Sequence, residues 1–313
     1  MTPLRSPASI PGVARDMLAA IAAWDQAAWS LAALALVAGG DGAPEVTAAA
    51  QQLLSVSGIT AVPGQPVPGG DTMTARQIAS HATAPLHQAA ALATGRAISW
   101  SAQSDQALLA QGRASAVGAR AFAELMLPMM GDLGSRLTAP GARMLDVGTG
   151  VGALALAFAQ VFPRLHVLGI DVLDRSLELA GQNIAASEVA ARVTVRKQDV
   201  AVFTDDTGFD LAFLPAPFIP LPALEAGLPR VAAALRPCGW VFVAHGKFGG
   251  TPAEDALTRL KTLVYGGTPL DEAKASGLLR SAGLTSVRPV PTPEGAPGIT
   301  IGQKPALTKT ESR

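Results

Sequence analysis

Apolar residues follow two different periods along this chain. Up to about Arg136 they recur at helical spacing and predict helices over residues 13–37, 45–56, 74–93, 99–111 and 115–137. Breakers punctuate that stretch. Residues 63–70 read Pro-Gly-Gln-Pro-Val-Pro-Gly-Gly, a loop or linker, and Pro128 is expected to kink or divide the last helix. After Ala139-Pro140-Gly141, apolar runs of strand length alternate with helical segments. That alternation predicts an α/β fold built on a doubly wound, mostly parallel sheet covered on both faces. Residues 286–290 and 299–303 read as two further strands joined by a Pro/Gly-rich, hairpin-like loop. The expected organisation is an all-helical domain over 1–138, an α/β domain over 139–304 and a loose tail over 305–313.

One stretch carries most of the chemistry. Met144-Leu145-Asp146-Val147 ends in Gly148-Thr149-Gly150-Val151-Gly152, and the next apolar run ends in Gly169-Ile170-Asp171. A strand that runs into alternating glycines and then a helix lets backbone approach a ligand closely, because glycine takes positive φ without steric cost. Asp171, at the tip of the second strand, is placed to accept hydrogen bonds from two ribose hydroxyls. Gly148, Gly150 and Ala153 also fit the dinucleotide pattern G-x-G-x-x-G/A, so a nicotinamide cofactor is one reading. Asp146 argues for another: a carboxylate two positions before the first glycine repels a pyrophosphate and favours a ligand that bears an amino group.

In these residues the chain resembles the class I S-adenosylmethionine-dependent methyltransferases, whose first motif runs from an acid into G-x-G-x-G, here Asp146, Gly148, Gly150 and Gly152. Three later segments are similar to that family in order and spacing. Val193-Thr194-Val195 leads to Asp199-Val200, Phe209-Asp210-Leu211-Ala212-Phe213-Leu214 resembles the fourth strand, and residues 235–243 resemble the turn into the fifth, with Cys238 where glycine is common. The resemblance covers about 141–304 and implies a Rossmann-like sheet with an antiparallel last strand.

What the resemblance implies can be placed residue by residue. Asp146 would hold the methionine amino group, directly or through water. Gly148, Gly150 and Gly152 would let the loop follow the cofactor, with Thr149 adding backbone or hydroxyl contacts. Asp171 would hold the ribose diol, with Val172 packing on adenine, and Asp199 would face the adenine amine beside Val200. Arg113, ahead of the α/β domain, is a candidate partner for the cofactor carboxylate.

On the acceptor side, Leu214-Pro215-Ala216-Pro217-Phe218 stands where amino-group methyltransferases of nucleic acids and proteins often carry Asn-Pro-Pro-Tyr. Pro215 removes the polar first residue, so the segment reads as a rigid apolar wall. Pro215, Phe218 and Trp100 are the candidate substrate-binding residues. His245 follows the strand-like Val241-Phe242-Val243-Ala244, at the sheet end where ligands bind, and is the candidate general base.

Composition narrows the setting. The 24 basic and 24 acidic residues balance, which argues against a protein that mainly grips phosphate backbones, and no nucleic-acid partner is expected. A single cysteine suits a reducing compartment, so a cytoplasmic location is expected. Residues 18–40 are apolar, but Asp25 and Gln26 interrupt them, and a buried or dimer-forming helix is expected rather than a membrane anchor. Trp24 and Trp29 would serve a homodimer interface, or equally pack within one chain, and a homodimer is expected. His81, His87, His166 and His245 show no paired ligand spacing, and no metal is expected. The sequence therefore reads as a methyltransferase of a small, apolar or aromatic molecule, with O-methylation favoured. Methylation of a macromolecule and a non-catalytic, cofactor-binding regulatory dimer are the alternatives.

Overall fold

The computed structural model describes residues 12–40, 42–59, 75–93, 100–292 and 296–306. The loop expected at 63–70 and the chain beyond 306 lie outside them. The chain forms two units, Met1–Ala89 and Ala90–Arg313.

The first unit holds α1 (Gly12–Gly39), α2 (Pro44–Val56) and most of α3 (Ala75–Ala93). Helices α1 and α2 pack through Ala33, Ala50 and Leu54, whose small or slender side chains let the two backbones approach. Trp24 and Trp29 on α1 are 69% and 65% exposed. No helix among the described residues is long and apolar enough to cross a membrane.

The second unit begins with α4 (Asp105–Ala116), preceded by a single 3-10 turn at Trp100–Ala102. The helix expected over 99–111 is therefore split. Ser104 explains the break, because its side chain accepts from the Ala107 amide and caps a new helix start. The helix expected over 115–137 is divided as Pro128 requires: α5 (Gly118–Ala121) passes into a π-helical stretch at Phe122–Met126, a 3-10 turn at Leu127–Met129, and α6 (Leu133–Leu137).

Seven strands follow: β1 (Arg143–Val147), β2 (His166–Asp171), β3 (Val193–Lys197), β4 (Phe209–Pro215), β5 (Leu235–His245), β6 (Thr285–Val290) and β7 (Gly298–Gln303). They form one sheet in the order β3-β2-β1-β4-β5-β7-β6. The first five run parallel, and β7 lies antiparallel between β5 and β6. The helices between strands are α7 (Ala153–Val161), α8 (Asp174–Ala185), α9 (Leu221–Ala234), α10 (Pro252–Val264) and α11 (Glu272–Ser281). This is the expected Rossmann-like α/β architecture with an antiparallel last strand.

Period-two alternation splits the core between the two faces. Met144, Leu211 and Phe242 point into one layer with Phe122, Leu133 and Phe158. Their neighbours Leu145, Ala212 and Val241 point into the other, with Leu224, Leu228 and Leu279. The strand order reverses at β1, whose neighbours β2 and β4 lead in opposite directions. The carboxyl ends of β1 and β4 therefore flank the crevice where such sheets bind ligands.

Candidate functional site

The three glycines after β1 all have positive φ: 64° at Gly148, 57° at Gly150 and 74° at Gly152, where a side chain would be strained. The loop they form is fastened to the end of β2, since the Thr149 amide donates to Ile170 O at 3.0 Å. Gly169 makes that approach possible. A Cβ there would lie 2.6 Å from Thr149 Oγ1, so only glycine admits the threonine against β2.

Asp146 is buried beneath this loop, 1% exposed, and its Oδ2 accepts from the Thr149 hydroxyl at 2.7 Å. Burial pushes its carboxyl up to about 7; the Thr149 bond opposes the rise and the Asp171 charge adds to it. Asp171 is also buried. Its Oδ2 accepts from the Gly150 amide at 2.8 Å and its Oδ1 from the Leu173 amide at 2.9 Å. Burial raises its pKa as well, against the backbone amides that favour the ionised form. Each carboxylate oxygen still has capacity for a further donor such as a ribose hydroxyl.

The remaining expected cofactor residues differ in setting. Val172 is exposed beside Asp171. Asp199 is exposed and caps the turn Val200–Val202, accepting from the Ala201 amide at 2.8 Å. Val200 is buried in the core, where it packs on Gly227 of α9. Arg113 is exposed on the last turn of α4. Its neighbour Gly112 brings that helix onto the loop, for a Cβ there would lie 2.2 Å from Val151 Cγ2. The contacts of Gly112, of Gly169 beyond its place in the second apolar run, and of Asn183, whose side chain donates to Val151 O at 2.9 Å, are marked by no sequence motif. A glycine inside a helix or strand was the available signal for the first two.

The acceptor side is built from the end of β4. Pro215 is buried, and a Cβ on Gly148 would lie 3.4 Å from Pro215 Cγ, so the proline ring closes against the first glycine of the loop. The turn Ala216–Phe218 that follows is held by Thr268, whose amide donates to Ala216 O at 3.1 Å and whose hydroxyl donates to Ile219 O at 3.0 Å. Gly267 lies so close beneath it that a Cβ would meet Pro217 O at 2.0 Å. On this rigid support Phe218 stacks on Tyr265, with centroids 4.8 Å apart and planes at 15°. Trp100 tilts against both rings, at 5.1 and 5.5 Å. The structure thus brings Trp100 and Phe218 together and adds Tyr265, which no motif marked.

His245 ends β5, 4% exposed, with both ring nitrogens engaged. Nδ1 lies 2.8 Å from Gly246 O and Nε2 lies 2.9 Å from Thr300 Oγ1. A carbonyl only accepts, so Nδ1 carries the proton and, in the neutral ring, Nε2 accepts from the Thr300 hydroxyl. The lone pair a general base needs is thereby occupied.

Known proteins settle which cofactor class this cleft belongs to. Residues 144–239 match the family described as a methyltransferase domain. The release factor glutamine methyltransferase of Cereibacter sphaeroides is 30% identical over 182 residues, which cover 54% of this chain and 62% of that protein. The tRNA1(Val) (adenine(37)-N6)-methyltransferase of Vibrio campbellii is 34% identical over 79 residues, 25% of this chain and 33% of that protein. The chain thus spans from about a third to under two thirds of the length of these curated relatives. Among solved structures, the pyocyanin biosynthetic protein PhzM superposes with a TM-score of 0.61 over 93% of this chain and 99% of its own, at 18% identity, a likeness of fold.

The chain therefore carries a class I nucleoside-cofactor fold of the methyltransferase type. Over residues 144–239 it carries a methyltransferase domain, similar to those of the S-adenosylmethionine-dependent methyltransferases, whose cofactor is S-adenosylmethionine. The cleft fits that cofactor: a buried carboxyl for an amine, a positive-φ loop without side chains in the way, and a second carboxylate with free lone pairs for a diol.

Proposed function

We propose that the protein transfers a methyl group from S-adenosylmethionine to a small aromatic or apolar molecule, with oxygen the favoured acceptor atom. Asp146 takes the amino group, Asp171 the ribose diol, Asp199 with Val172 and Val200 the adenine, and Arg113 the carboxylate. The bound sulfonium supplies a methyl group that is already activated. What the chain must add is alignment and a dry wall, a matter of proximity and orientation. Pro215, Phe218 and Trp100, with Tyr265, provide that wall.

Pro215 is the observation that carries this reading. It packs against the first glycine of the loop, and by sequence resemblance it stands where amino-group methyltransferases carry a polar residue, so it offers a target nitrogen no acceptor. His245 is read as a positioning residue that ties β5 to β7. The exposed Trp24 and Trp29 support the front helices as a homodimer surface.

The named sequence relatives methylate a tRNA adenine and a release factor glutamine, by their names, which favours a second reading: N-methylation of a macromolecule. Titration calorimetry with S-adenosylmethionine, S-adenosylhomocysteine and NAD, on the wild type and Asp171→Ala, comes first. Binding of the two sulfur ligands, weakened at least tenfold in the variant, is expected; binding of NAD alone overturns the cofactor. Labelled methyl is then offered to a metabolite extract, to tRNA and to a release factor. Label in small molecules supports the proposal, and label only in macromolecules replaces it with the second reading. Binding with no transfer leaves a regulatory, cofactor-binding protein.

A further inference from the structure

At the opposite end of the sheet from the cofactor loop lies a second cavity, of about 140 Å³. Arg143 begins β1 and His166 begins β2, and the two are register partners; Leu168 of β2 partners Thr194 of β3 in the same way. Partners in a ladder and alternate residues along a strand share one face, so these four side chains line the same side of the sheet. Arg192, from the turn Ala190–Arg192 before β3, closes the cavity. Its Nη1 is anchored on three carbonyls, Ala159 O at 2.6 Å, Phe162 O at 3.1 Å and Leu165 O at 3.2 Å.

Arg143, Arg192, His166 and Thr194 line this space beside Val167, Leu168 and Ala191, and no acidic residue lines it. Arg143 lies over the Phe209 ring at 5.0 Å, and its buried Nε has no hydrogen-bond acceptor. Such an orphaned donor is desolvated without compensation until an acceptor arrives. Among the described residues neither Arg143 nor Arg192 makes an ion pair. Asp205 feels the Arg143 charge, but is itself held by the Thr207 amide at 2.9 Å and Arg196 at 3.5 Å.

We propose that this cavity binds a small tetrahedral oxyanion, either free phosphate or the phosphate end of a monoester. A water takes roughly 30 Å³ of liquid, so the volume accommodates an oxyanion of a few waters' size. Guanidinium groups suit it because their planar donors match phosphate oxygens in pairs. The site stands about 15 Å, one strand length, from the glycine loop, so its ligand does not compete with the cofactor.

Thermal unfolding is followed in inorganic phosphate, in glycerol phosphate, and in chloride and acetate at matched ionic strength, all without cofactor. A saturable rise in Tm with phosphate beyond chloride and acetate is expected. Arg143→Met, which keeps packing on Phe209, weakens it at least tenfold, and the exposed His166→Leu weakens it at least threefold. S-adenosylmethionine affinity stays unchanged in both. Equal responses to the two phosphates assign a monoester end, and a response to inorganic phosphate alone assigns the free ion. A phosphate response no greater than chloride, or one that both variants retain, overturns the proposal. Neither result bears on methyl transfer.

Discussion

Thr149 donates its hydroxyl to Asp146 at 2.7 Å and its backbone carbonyl accepts from Gly152 at 2.9 Å, so one residue fastens the glycine loop to the carboxyl beneath it. The acid is therefore oriented before any ligand arrives. It is also held where ionisation is costly, with its carboxyl up at about 7.

A pH dependence follows from that position. A cofactor ammonium favours ionised Asp146, so binding below pH 7 must expel a proton, and Kd is expected to rise up to tenfold per pH unit below 7. Above about 8 the cofactor amine loses its own proton and affinity falls again. Asp146→Asn is expected to abolish the acid limb. The same carboxyl works against folding: its folded pKa exceeds the unfolded value near 3.8, so the stability it contributes is complete below that value and lost as pH rises to about 7. Asp146→Asn should thus raise Tm at pH 8 while weakening binding there. Calorimetry between pH 5.5 and 8.5 checks the first claim; a flat Kd from 5.5 to 7.5 in the wild type sinks it.

Asp210 supports the sheet at its other end. Buried in β4, it accepts from Arg136 Nη2 at 2.8 Å, Arg236 Nη1 at 2.7 Å and the Arg143 amide at 3.0 Å. Those bonds tie α6, β1 and the start of β5 together. Asp210→Ala is expected to cost about 2–4 kcal/mol, near the lower end for a broken buried pair because both arginines reach solvent. Urea denaturation measures it. A loss under 1 kcal/mol would show the cluster to be ornamental to stability.

Such contacts explain what the sequence made legible. The strands and the Asp146–Asp171 register could be read because each depends on neighbours within a few residues: period two along the strand, glycine where the loop must turn. Ser104 and Phe122 break their helices through local capping and π geometry, which an apolar repeat does not encode. The partner of His245 is Thr300, 55 positions later, and that of Phe218 is Tyr265; no spacing announces either. Asp210 stands within a strand read from its apolar neighbours, and its arginine partners Arg136 and Arg236 lie 74 and 26 positions away.

Cys238 offers a small test of backbone strain. It holds φ at 61° in the turn before the main run of β5, with its amide bonded to Lys304 O at 3.1 Å. A non-glycine residue there pays about 1–2 kcal/mol, and glycine returns part of that gain as unfolded-chain entropy. Cys238→Gly is expected to stabilise by about 0.5–1 kcal/mol, whereas Cys238→Ala, which keeps the Cβ, gains nothing from relief of strain. Equal effects of the two in urea melts would place the cause in the thiol instead.

His245 separates a structural from a chemical role most sharply. Its ring bonds Gly246 O and Thr300 Oγ1, and Gly298 faces it so closely that a Cβ would lie 2.5 Å from Cε1. Removing the ring leaves a buried Thr300 hydroxyl without its partner, at a cost of about 1–3 kcal/mol. His245→Ala should therefore lower Tm by several degrees and leave the shape of the kcat/KM pH profile unchanged wherever the protein remains folded. Thr300→Val should reproduce most of the stability loss, because it breaks the same bond from the other side. A general base predicts the reverse: a lost acidic limb in His245→Ala, with Thr300→Val retaining it. If that pattern is found, the imidazole must swing away from Thr300 during turnover, and the acceptor's proton leaves through His245 after all.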